Sequence, residues 1–208
     1  MRKLSVFILL VLCSSVFAQD RLIKPEIYVG VNAGVSESMV IFTPSVSQGL
    51  LQGYNGGFVF RYIAEKNVGM QAELNFSQRG WKESSGLYTR QLNYIEIPFM
   101  THIYMGKKNR FFINLGPKVS YLISEKTLIN GTTNSTLKQQ TDPVKNAFDY
   151  GLCAGFGLSF NIHGNIIQLD TRGNYSLNNL YPGSPTDYFS DSHNLYFSVN
   201  LGWLVKVK

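Results

Sequence analysis

Between residues 148 and 162 every second residue is apolar: Phe148, Tyr150, Leu152, Ala154, Phe156, Leu158, Phe160 and Ile162. The positions between them, Asp149, Gly151, Cys153, Gly155, Gly157, Ser159 and Asn161, are small or polar. A period of two puts one set on each face of an extended strand. His163 and Gly164 then permit a tight reversal, after which Ile167, Leu169, Thr171, Gly173, Tyr175 and Leu177 alternate with Gln168, Asp170, Arg172, Asn174 and Ser176. The pair reads as a hairpin with one greasy wall and one polar wall. Its strands exceed the roughly 5 to 6 residues usual in soluble sheets, and the polar wall carries charge. Lipid on one side and a wet interior on the other account for both features, so the hairpin points to a transmembrane β-barrel.

The N-terminus agrees with export. Arg2 and Lys3 precede an apolar run over residues 4–12, and Val16, Phe17 and Ala18 stand before Gln19. That is the layout of a signal peptide over residues 1–18, cut after Ala18. The run is shorter than the roughly 20 residues a spanning helix needs, and Leu12 before Cys13 lacks the small residue of a lipoprotein signal. Residues 19–208 then form a single barrel domain. Without Arg2 and Lys3, 17 of the 19 Lys and Arg remain against 13 Asp and Glu. They are spread along the chain, which gives no case for nucleic acid. Cys153 is the one cysteine left, so no intramolecular disulfide can form. No mature segment is long and apolar enough to span as a helix, which leaves a closed barrel in the outer membrane.

Alternation recurs over residues 27–36, 54–62, 68–79, 94–104, 111–124 and 195–207. The expectation is an all-β, eight-stranded, antiparallel up-and-down transmembrane β-barrel, eight being the smallest usual number. Connections alternate between long (37–53, 80–90, 127–146, 178–193) and short (64–67, 107–109, 163–164). Long connections belong outside and short ones in the periplasm, which places both termini in the periplasm. Tyr54, Tyr121, Tyr150, Tyr175 and Phe197 then fall near the outer membrane surface, and Tyr62, Phe111, Phe160 and Trp203 near the inner one, as two aromatic girdles. Pro98 and Pro117 are awkward in a barrel without edges, because proline donates no ladder bond; a β-bulge is the usual remedy.

Two segments, ELNFSQRG at 73–80 and LNYIEIPF at 92–99, resemble blocks of the PorT-like outer-membrane β-barrel family of the Bacteroidota, and the likeness extends across the mature chain. The resemblance implies an outer-membrane barrel with an association with protein secretion.

The inward charges are Arg61, Glu73, Arg79, Glu96, Lys118, Asp170 and Arg172. An eight-stranded barrel is only wide enough for its own side chains, so these charges are expected to pair and plug the lumen. His102, His163 and His193 are too dispersed for a metal site, and no cofactor is expected. Asp191, Ser192 and His193 carry the residue types of a hydrolase, but neighbours in sequence seldom face one another. The N-x-[ST] triplets at 130–132 and 134–136 read as ordinary loop residues. The function expected is a structural or interaction role for a monomer in outer-membrane lipid, with protein partners at the external loops or periplasmic rim. A lipid-modifying enzyme and a small solute channel are the alternatives. A soluble lipocalin-like barrel would leave too many large apolar residues facing water.

Overall fold

A computed structural model describes residues 21–129, 138–181 and 189–207. The expected signal peptide and the N-x-[ST] triplets at 130–132 and 134–136 lie outside the described residues. The strands are β1 (Arg21–Thr43), β2 (Gln48–Gly49), β3 (Leu51–Glu65), β4 (Val68–Glu83), β5 (Tyr88–Met105), β6 (Asn109–Ile129), β7 (Phe148–Ile162), β8 (Asn165–Ser176) and β9 (Asp191–Lys206). A single helical turn, α1 (Lys138–Thr141), lies between β6 and β7. The long strands pair in the order β4-β3-β1-β9-β8-β7-β6-β5, and β5 returns to β4. The ring of eight is closed, and β2 is a two-residue addition beside β4. The chain is thus an all-β, up-and-down antiparallel barrel of eight strands, an arrangement that satisfies backbone groups where lipid offers no partner.

Through the middle of the barrel the outward positions are apolar. Val31, Phe58, Leu74, Ile97, Leu115, Leu158, Leu169 and Leu201 are all exposed on the outer wall, while Asn32, Glu73, Glu96 and Asp170 are buried inside it. The four long connections are shorter than the alternation suggests, because the strands continue into them. β1 runs on to Thr43 and β3 begins at Leu51, which takes in much of 37–53. β4 extends to Glu83 and β5 starts at Tyr88, leaving little of 80–90. β6 reaches Ile129 and β9 begins at Asp191, trimming 127–146 and 178–193.

The reason lies in a change of polarity. In these extensions Val40, Phe42, Trp81, Tyr88 and Leu92 point inward and are buried, whereas Glu37 and Lys82 face out. The outer wall has left lipid for water, so the greasy face turns inward as in a soluble protein. Residues 38–43 read SMVIFT, apolar at four consecutive positions, and a rule of apolar-out and polar-in cannot follow the strand through them.

Two local irregularities bear on the register. Asn93 pairs with Ser124 but Tyr94 with Leu122, so one extra residue at Ile123 shifts the β5–β6 ladder. This bulge reverses the phase of β6 beyond it, and Ser124, assigned to the lumen by simple alternation, is exposed and accepts a 2.8 Å hydrogen bond from Asn93. The prolines need no such device. Pairing is interrupted between Pro98 opposite Lys118 and Thr101 opposite Leu115, then resumes in the same register. Gly116 lets the strands approach there: a Cβ on it would come 2.0 Å from the Phe99 carbonyl oxygen.

Candidate functional site: the filled lumen and the outer wall

The interior is layered along the barrel axis. Nearest the short turns, Tyr28, Val59, Ile63, Tyr104, Phe112, Ile166 and Leu204 form an apolar floor. Below it Glu26, from β1, reaches across the mouth to Arg110 of β6 at 3.3 Å and to Lys206 at 3.1 Å. His102 is fully buried just above, its Nδ1 2.7 Å from Asn114 Oδ1 and its ring tilted against Phe112.

The middle layer is ionic. Arg172 meets Glu73 at 2.7 Å and Asp170 at 2.8 Å. Arg79 meets Asp149 at 2.6 Å and Glu96 at 3.2 Å, and its guanidinium lies 3.7 Å from the Tyr94 ring centroid. Lys118 donates to Glu96 at 3.2 Å and to the Tyr196 hydroxyl at 3.0 Å. Among the described residues no carboxylate pairs directly with Arg61; it donates to Gln71 and Gln168, whose amides donate in turn to Glu73 and Asp170. All seven charged residues singled out from the sequence face the lumen and are buried. Sequence reasoning passed over Asp149, which is 2% exposed and also accepts from Ser176 at 2.9 Å. It occupies a polar position of the very alternation that defines β7, and its charge was the available signal. With it, Arg61, Arg79, Lys118 and Arg172 are matched in number by Glu73, Glu96, Asp149 and Asp170. Such balance matters because one unpaired buried ion costs several kcal/mol even after relaxation. A polar void of about 10 Å³ remains beside Asn75, Cys153 and Ser198, room for no more than about one water.

The outer layer is apolar again. Val40, Phe42, Trp81, Tyr88, Leu92 and Tyr94 from the strands pack with Leu180, Tyr181 and Phe189 from the segment before β9. Phe42 stands edge-on to Trp81 at 5.3 Å. Arg90 ties the cover down: it pairs with Glu125 at 3.1 Å, and donates to the Tyr181 hydroxyl at 3.0 Å and the Gln140 carbonyl at 3.0 Å. Burial pushes the Tyr181 phenol above its usual range, so it stays protonated. Trp81 and Arg90 sit in the stretch read from sequence as an external loop, where nothing marked them as interior.

Asp191, Ser192 and His193 do not assemble. Ser192 is fully buried, its hydroxyl accepting from the Tyr181 amide at 3.0 Å. On the opposite face of β9, His193 Nε2 is 3.8 Å from Asp191 Oδ1, and Nδ1 is 3.2 Å from the Asn178 carbonyl oxygen. Period two separates the hydroxyl from the imidazole. The aromatic residues Tyr54, Tyr121, Tyr150, Tyr175 and Phe197 are exposed on the outer wall, as are Phe111, Phe160 and Trp203, with Tyr62 half-buried.

The segments at 73–80 and 92–99 lie side by side, with Asn75 opposite Glu96, Ser77 opposite Tyr94 and Arg79 opposite Leu92. Their inward residues build the Arg79–Glu96 pair and the Arg79–Tyr94 stack. The blocks therefore encode the packing of the lumen wall.

The model of the outer membrane protein beta-barrel domain family matches residues 17–181. A search of curated proteins found no match. Among solved structures, Ail, the attachment invasion locus protein of Yersinia pestis, is 18% identical over 85% of this chain and 97% of its own, with a TM-score of 0.45. Neisserial surface protein A is 14% identical over 85% of this chain and 95% of its own, at 0.44. OprG from Pseudomonas aeruginosa is 9% identical over 86% and 94%, at 0.45.

Proposed function

The chain belongs to the outer membrane protein beta-barrel domain family and is an outer-membrane β-barrel; from that premise we propose that it is an interaction protein, anchored by a plugged barrel and binding an extended polypeptide at its outer wall. One observation carries this reading. The ladder between β6 and β7 ends at Tyr121 opposite Phe148, yet β6 continues to Ile129, paired with β5 alone. Among the described residues, no strand pairs with the free side of residues 124–129. Ser124, Lys126, Thr127 and Leu128 are exposed. An unpaired strand edge is a template for one more strand.

The same geometry weighs on the alternatives. A filled, charge-balanced lumen supports a closed barrel over a solute channel, and planar-bilayer recordings without steady conductance are the expected result. The separation of Ser192 from His193 removes the support that this cluster lent to a lipid-modifying enzyme. A PorT-like role in secretion rests on the blocks at 73–80 and 92–99, whose inward residues fill the lumen while Leu74, Phe76, Ile97 and Phe99 face out on the lipid side.

The test is site-specific photocrosslinking in intact cells, with the probe at residue 126 on the free edge, 91 within the paired wall, or 97 in the lipid belt. A discrete protein adduct is expected from 126 alone, and should disappear when Thr127 or Leu128 is replaced by proline in a protein that still folds. Adducts of equal yield at 91 and 126, or adducts insensitive to both prolines, would show that the edge is not the binding element.

A further inference from the structure

We propose that the two short turns joining β3 to β4 and β5 to β6 form a binding site for the phosphate of an anionic glycerophospholipid in the periplasmic leaflet. The turns are neighbours, since the Tyr104 amide donates to the Asn67 carbonyl at 2.9 Å and Val68 pairs with Ile103. They carry Lys66, Lys107 and Lys108, all exposed. Glu65, half-buried, is the one carboxylate beside them among the described residues. Glu26, the other acid at this end, is already held by Arg110 and Lys206.

Immediately beneath the lysines the outer wall is apolar: Met105, Ile103, Met70 and Phe111 are exposed there. Lys107 follows Met105 by two residues and Lys66 precedes Val68 by two. The lysines thus stand in the turns themselves, past the last strand residues of the lipid-facing wall, at the level of the headgroup layer that flanks the hydrocarbon core by roughly 5 to 7 Å. Three cations above an apolar strip match a phosphate above its acyl chains. A soluble anion would have no use for the strip, and that favours the lipid. The turn between β7 and β8, His163 and Gly164, has no lysine and serves as an internal control.

The experiment places a fluorophore on Met105→Cys, or on Ile162→Cys beside the control turn, in a Cys153→Ala background refolded into phosphatidylcholine vesicles. Spin-labelled phosphatidylglycerol or spin-labelled phosphatidylcholine is then added. Quenching at 105 is expected to favour phosphatidylglycerol by about fivefold or more, to show no such preference at 162, and to lose the preference in the Lys66→Gln, Lys107→Gln, Lys108→Gln variant. Retention of barrel structure in that variant is checked by circular dichroism. Equal quenching by both lipids at 105, or a preference that survives the triple substitution, overturns the site. A preference abolished by millimolar inorganic phosphate but not by an equal ionic strength of chloride would assign the lysines to soluble anions instead.

Discussion

The lipid-embedded band and the wall above it are made from the same strands with the same period of two, yet their polarity is opposite. On β4, Leu74 and Phe76 face lipid while Glu73 and Arg79 are buried; further along, Trp81 is buried and Lys82 is exposed. On β5, Ile97 and Phe99 face out with Glu96 inside, but past Tyr94 it is Leu92 and Tyr88 that turn inward. On these two strands the alternation keeps its phase from one region to the other. The surrounding solvent changes: lipid tolerates no charge outside, so the charges are paired within, whereas water outside makes the interior the better place for apolar surface. The barrel is a membrane protein in its middle and a soluble one at its top.

The largest effect should come from the ionic layer. Arg79→Ala leaves Glu96 and Asp149 with Lys118 as their one shared cation among the described residues, and should lower stability in vesicles by about 3 to 5 kcal/mol. Urea titration followed by tryptophan fluorescence measures this, and a loss under about 1 kcal/mol would mean that Lys118 alone suffices to hold both carboxylates. Trp81→Ala tests the top. It empties a site between Phe42 and Arg90 at a cost of about 3 kcal/mol, but confined to the outer wall. Limited proteolysis around residues 138–147 and 178–181 should accelerate while the folded barrel keeps its shifted electrophoretic mobility. A barrel that unfolds as a whole would show that the two regions are one cooperative unit.

Leu158 and Asn93 sharpen the contrast on the outward face. Leu158 is exposed to lipid, paired with Phe111 and Leu169, and Leu158→Arg should cost about 2 to 4 kcal/mol. Asn93 also points outward, but above the belt, where it bonds Ser124. Asn93→Arg should stay within about 0.5 kcal/mol of the parent, measured in the same titration. Comparable losses at both positions would place Asn93 in lipid and move the boundary between the regions.

Most of the embedded band was legible in the sequence because lipid imposes a simple rule there. β7 spans residues 148–162, as the alternation from Phe148 to Ile162 requires. The seven inward charges could be named for the same reason. Asp149 was hidden only by being counted among small polar residues. The outer extensions were less legible because the rule that found the strands reverses in them. SMVIFT at 38–43 and GWKE at 80–83 look like irregular loops to a reader expecting apolar residues outside.

Period two, repeated eight times between alternately long and short connections, was enough by itself to determine a closed antiparallel barrel and the facing of its band, since a backbone in lipid has few other ways to satisfy its hydrogen bonds. Which charges meet was decided by the tertiary structure alone. Arg79 chooses Asp149 across the lumen, 70 residues away, and Arg61 reaches its nearest carboxylates only through Gln71 and Gln168. The height at which the wall leaves lipid was decided there too. Both depend on strand stagger, which sets which side chains share a level without altering the alternation along a strand, and on one bulged residue at Ile123, which reverses that alternation in β6 beyond it.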